Sequence, residues 1–147
     1  FLEVLDREVS RCARHQRPLS LAMLDIDQFR QVNDLHGYLA GDHVLKVIGE
    51  TLSPRIRKEE VFARYGGEEF ALLLPETNEA QATRFAERLR AAVEDLQIEY
   101  GGRSIHVTIS LGVAELDAIV DPRGLLEVAD RRLFEAKRAG RNRVKAG

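Results

Sequence analysis

The chain has 147 residues, 44% of them apolar, with 22 basic against 24 acidic side chains and a formal net charge of -2. That length supports one core that buries roughly 68% of the surface its unfolded chain would expose, with no need of disulfides or a structural metal. The balanced charge excludes a general field for holding a nucleic-acid polymer, no apolar run reaches the ~18 residues of a membrane span, and the lone Cys12 excludes a disulfide framework and suits a reducing, cytoplasmic setting.

Leu2, Leu5, Val9, Cys12 and Ala13 recur at helical spacing, which predicts a helix over 1–16 stopped by Pro18. Phe1 and Leu2 already belong to its apolar stripe and no capping residue precedes them, so the chain is expected to begin inside an element that extends upstream. Residues 19–27, LSLAMLDID, are apolar on both alternating faces until the acids appear, as in a central strand covered on both sides, with Asp25 and Asp27 on one face. Short helices are predicted over 28–34 and 41–53, with Gly37 and Gly41 bending the chain between them.

VFARYGGEEFALLLP reads as two strands joined through Gly66 and Gly67. Asn78 and Gln81 form a capping box ahead of a helix whose predicted buried face is Phe85, Leu89, Ala92, Val93 and Leu96. A second hairpin joins QIEY to the long RSIHVTISLGVAEL through Gly101 and Gly102. Asp121 as N-cap and Pro122 at the first helical position start a last helix that ends at Gly140. This order predicts an α+β fold, a mostly antiparallel central sheet flanked by helices.

Three groups could carry chemistry. Asp25, Asp27, Glu68 and Glu69 stand at predicted strand ends; if the strands are neighbours, Asp25 and one glutamate converge as the hard oxygen ligands that Mg2+ prefers when it also holds a phosphate. Alternation along a strand points Glu68 and Glu69 in different directions. Solvated acids beside turns are the plain alternative. Asn33, Asp34, Gly37, Gly41 and Asp42 put an amide and carboxylates beside glycines, a set able to read a guanine edge or simply to cap two helices. Lys137 and Arg141, four apart on one predicted helix face, can hold a triphosphate or offset the helix dipole. His36 and His43 have no metal-pair spacing, and there is no phosphate-binding glycine loop.

Together, RYGGEEF (64–70), DIDQFRQVND (25–34), GYLAGD (37–42), VTISLGVA (107–114) and AKRAGRNR (136–143) resemble the GGDEF family of diguanylate cyclases, in order and over nearly the whole chain. The resemblance implies a single domain over 1–147 with a palm-like fold, excised from a longer protein that carries sensory or effector domains, the family's N-terminal signature lying before Phe1. It implies condensation of two GTP into cyclic di-GMP and two pyrophosphates by a homodimer. Asp25, the carbonyl of Ile26 and Glu68 would bind Mg2+ (or Mn2+), with Glu69 a further ligand or the base for the 3'-hydroxyl. Asn33 and Asp42 would recognise guanine, Phe29 and Tyr38 would line the substrate site, and Lys137 and Arg141 would hold phosphates. Arg30 stands where the family has a catalytic lysine, and Tyr38 where it has histidine. Arg57 and Glu60 resemble the inhibitory RxxD, with Arg88 a second basic contact for cyclic di-GMP. A module that binds GTP or cyclic di-GMP without turnover is the alternative these departures leave.

Overall fold

The computed structural model describes residues 1–117 and 121–147. In chain order the elements are α1 (Leu2–His15), β1 (Leu19–Ile26), α2 (Phe29–His36), α3 (Tyr38–Leu52), β2 (Val61–Arg64), β3 (Glu69–Pro75), α4 (Glu79–Glu94), β4 (Ile98–Tyr100), β5 (Arg103–Ile105), β6 (Ile109–Glu115), α5 (Pro122–Arg138) and β7 (Val144–Lys145). The central sheet runs β2-β3-β1-β6-β7; β6 and β7 are parallel and the other neighbours antiparallel. The α+β expectation holds.

All eight residues of β1 are buried because both faces of the sheet are covered. Ala22, Leu24 and Ile26, with Phe70, Leu72 and Leu74 of β3, pack against Val44 and Ile48 of α3 and Ala86 and Leu89 of α4. Leu21 and Met23, with Ala71 and Leu73, face Leu5 and Val9 of α1 and Leu125, Ala129 and Leu133 of α5. One β1 residue thus serves one layer and the next the other. Gly112 of β6 sets how close α5 comes: a Cβ there would stand 2.1 Å from the Ala129 carbonyl oxygen and 2.2 Å from the Leu133 nitrogen. Helix backbone therefore rests on strand backbone.

The structure departs from expectation in four places. Helix α3 begins at Tyr38, so Gly41 lies buried inside a helix and bends nothing; the break is at Gly37, with φ 91°. Helix α4 buries Ala82, Ala86, Leu89 and Val93, leaving Phe85, Ala92 and Leu96 half-buried, because the small alanines let the helix approach the sheet. The long second strand is interrupted over 106–108: β5 pairs only with β4 in a separate ribbon and β6 joins the main sheet. Strand β7 was too short to announce itself by pattern.

Candidate functional site

The β1–β3 register sets Asp25 opposite Glu69, which puts both carboxylates on the face covered by α5. Lys137, in the last turn of α5, donates from Nζ to Asp25 Oδ2. Asp25 is 3% exposed, and its other oxygen, Oδ1, is buried without a hydrogen-bond partner. Burial pushes its pKa up to about 6; Lys137 works against that shift, and the charges of Glu68 and Glu69 add to it. Burial also raises the Glu69 carboxyl, followed by the nearby charge of Asp130.

A partnerless buried carboxylate oxygen with two further carboxylates acting on it suits a hard dication. Among the described residues no three His, Cys, Asp or Glu side chains are gathered closely enough to enclose an ion by themselves. The donors therefore fit an ion that keeps part of its coordination for water and phosphate. Ile26 ends β1 beside them, its N–H donating to the Glu68 carbonyl at 3.3 Å.

Glu68, just before β3, has different surroundings from Glu69, though its charge still reaches Asp25. It lines a cleft of about 430 Å3 with Phe29, Arg30, Asn33, Asp34, Tyr38, Asp42, Leu45, Arg64 and Gly67, on the α2–α3 side. Asn33 Oδ1 is buried there without a partner. Its space exists because residue 41 has no side chain: a Cβ at Gly41 would lie 1.9 Å from Asn33 Oδ1 and 3.1 Å from Phe29 Cζ. An amide oxygen and the exposed Asp42 carboxylate offer acceptors to a base that presents a ring N–H and an amino group. At the rim, Arg30 is 94% exposed and only 3.9 Å from Asp34, and Tyr38 is 81% exposed.

Two expected groupings change. Helix α5 ends at Arg138, and Arg141 follows in a left-handed turn with φ 63°, so Lys137 and Arg141 do not share a helix face. Asp27 is occupied apart from Asp25: its carboxylate accepts from Thr108 Oγ1, Ser110 Oγ and the Asn142 backbone N–H. Arg57, Glu60 and Arg88 do come together, lining a cleft of about 470 Å3 with Arg55, Arg84 and Phe85. Glu60 is partly engaged there, accepting from the Arg57 N–H at 2.7 Å.

Arg64 escaped the sequence reading. Its guanidinium donates to the carbonyls of Gly66 and Gly67, at 2.7 Å to the latter, and so fixes the turn that presents Glu68. An arginine two residues before a Gly-Gly turn is a readable signal only once the turn's orphan carbonyls are counted.

Residues 1–143 match the family model described as diguanylate cyclase, GGDEF domain. Diguanylate cyclase DgcP of Pseudomonas aeruginosa is 42% identical over 142 residues, covering 97% of this chain and 21% of its own length. The diguanylate cyclase SiaD of Pseudomonas aeruginosa, solved with its activator SiaC, superposes with TM-score 0.95 and 39% identity over 99% of this chain and 56% of its own. The GGDEF domain of DgcB from Caulobacter crescentus, solved with c-di-GMP, gives TM-score 0.95 and 31% identity over 98% of this chain and 86% of its own. The chain spans 21% to 37% of the length of three curated diguanylate cyclases it matches.

Proposed function

The chain belongs to the GGDEF, diguanylate cyclase, family, and from that membership and the geometry of its sheet end we propose that it condenses two GTP into cyclic di-GMP with release of two pyrophosphates. The observation that carries the reading is a pair of orphaned buried oxygens, Asp25 Oδ1 at the end of β1 and Asn33 Oδ1 in the α2–α3 cleft. One asks for a cation and the other for a base N–H; a buried acceptor left unmade costs about 1–3 kcal/mol, so a ligand that satisfies it is favoured. Guanine presents N–H donors to Asn33 and Asp42 where adenine lacks the ring N–H.

In this reading Asp25 and Glu68, with Glu69 and the Ile26 carbonyl, would hold Mg2+ or Mn2+. Bound there, the ion would supply positive charge to the phosphate oxygens and favour the alkoxide form of an attacking hydroxyl. Asn33 and Asp42 fix the base, with Phe29 and Tyr38 beside it, and thereby fix the ribose. The 3'-oxygen of one nucleotide attacks the α-phosphorus of the other in line, forming one P–O bond as that to pyrophosphate breaks; a glutamate at 68 or 69 takes the hydroxyl proton. Lys137, Arg141 and Arg30 offset the charge gathering on pyrophosphate. Positioning two reactants supplies much of the rate.

Each chain holds one nucleotide, and ring closure needs two attacks, so the active unit is a two-fold homodimer. Cyclic di-GMP held by Arg57, Glu60 and Arg88 would report product back to the enzyme. Attached domains outside these residues would set when it runs, and a cytoplasmic location follows from the substrate. No helix of the described residues is long and apolar enough to cross a membrane.

The test fuses the chain to a parallel coiled coil and incubates it with GTP and Mg2+, beside a Glu69→Ala control, with products separated by chromatography. Cyclic di-GMP from the fusion alone is the expected result. GTP binding without product would replace the cyclase with a regulatory module, the reading that the exposed Arg30 and Tyr38 favour.

A further inference from the structure

Asp27 is a carboxylate at 6% exposure whose hydrogen-bond donors are neutral. Oδ1 accepts from Ser110 Oγ at 2.7 Å; Oδ2 accepts from Thr108 Oγ1 at 2.7 Å and from the Asn142 N–H at 2.9 Å. Burying a carboxylate this way is costly unless its bonds are all made and something is gained by holding their donors. Two donors belong to the sheet itself, Ser110 on β6 and Thr108 just before it. The third belongs to the turn that follows α5.

That turn needs holding. Arg141 and Asn142 are consecutive non-glycine residues with φ 63° and 49°, a conformation that L residues enter at a cost. Its grip is double. From the sheet, Asp27 takes the backbone of Asn142; from α4, the Asn142 carboxamide donates to Glu94 Oε2 at 2.5 Å and accepts from Arg90 Nη1 at 2.8 Å. The Asn142 bond is also the leading cause that lowers the Glu94 carboxyl below its ordinary range. Arg141 is thus bracketed between two anchors on one strand end: Lys137, four residues before it, on Asp25, and Asn142, one residue after it, on Asp27. Its own side chain is exposed.

We propose that Asp27 and Asn142 are positioning residues for Arg141: one holds the turn from the sheet and the other from α4, and together they keep the Arg141 guanidinium at the end of β1, toward the triphosphate of a bound nucleotide. The inference rests on the role given above to Arg141 and adds what sets that arginine in place.

Calorimetric titration with GTP and with guanosine monophosphate, in the presence of Ca2+, separates phosphate contacts from base contacts. Asn142→Gly accepts the left-handed backbone and keeps the amide to Asp27, so it folds while losing the grip on α4. It is expected to lower GTP affinity about three- to tenfold with guanosine monophosphate changed less than twofold, and to add nothing in an Arg141→Ala background. Asp27→Ala should do the same where circular dichroism shows a folded chain. Asp27→Asn, whose amide oxygen can still accept from Asn142, should stay near wild type. An Asn142→Gly chain with the wild-type preference for GTP, while Arg141→Ala loses it, overturns the positioning role alone, as does equal loss for both nucleotides. If Arg141→Ala itself leaves the preference intact, the phosphate role of Arg141 and this inference fall together.

Discussion

Gly41 shows how a missing side chain makes room for a buried, unpartnered acceptor, Asn33 Oδ1. A methyl there would collide with the amide of Asn33, the free end of a side chain that can swing aside. Gly41→Ala should therefore fold, because alanine in a helix returns up to ~1 kcal/mol that offsets the displacement. GTP affinity should fall about tenfold or more as Asn33 leaves the cleft; calorimetry beside a thermal melt checks both. Asp25 gives a second prediction. Its folded pKa, about 6, lies above its ordinary value of 3.8, so the native state holds the extra proton between those limits and loses stability as pH rises through them. In chelator, the stability of wild type relative to Asp25→Asn should decline from pH 4 to pH 7 by on the order of 3 kcal/mol. A difference that stays flat over that range would remove the argument. Little of this was legible beforehand. Spacing marked Asp25, Asn33 and Gly41, but Lys137 meets Asp25 across 112 residues, a contact that no local pattern encodes.

Two elements hold the site's geometry. Helix α5 sits on β6 through Gly112, with backbone meeting backbone, so Gly112→Ala must move the helix and with it Lys137. A loss of about 3 kcal/mol or more is expected in denaturant melts, since neither the strand nor the helix can turn aside. The β2–β3 hairpin is held differently, by the Arg64 guanidinium on the Gly66 and Gly67 carbonyls. Arg64→Ala should cost less than about 1 kcal/mol in stability because the site is exposed, yet lower turnover about tenfold or more by loosening Glu68. Steady-state kinetics with a melt on the same sample separates the two effects. The sequence was clear where one period prevailed: β1, the capping box at Asn78 and Gln81, and Asp121 before Pro122 all formed as expected. It was unclear where a pattern ran through a break. RSIHVTISLGVAEL alternates continuously, yet Val107 serves the core from outside any strand while β5 leaves the main sheet. The exit of the chain from α5 into a left-handed turn was equally hidden, because helical spacing counts residues and cannot see φ.

At the scale of the whole molecule, one sheet end is served from both sides. The α2–α3 cleft lies on one face and Asp25, Glu69 and Lys137 on the other, with Glu68 at the sheet end lining the cleft while its charge reaches Asp25. In the proposed reaction a second copy of the chain brings the second nucleotide, so specific activity should rise with protein concentration and level off in the coiled-coil fusion. Activity measured over a hundredfold dilution series checks this; a flat profile for the unfused chain would mean that one copy suffices. The two-sided arrangement also bears on how the reaction ends. In the proposed reaction, base and triphosphate would engage separate half-sites joined only through the ribose, so each would raise the effective concentration of the other while both are present. Once pyrophosphate departed, the guanine end would be left with its own modest affinity, and the proposed cyclic product would dissociate from a site that had gripped its precursor twice.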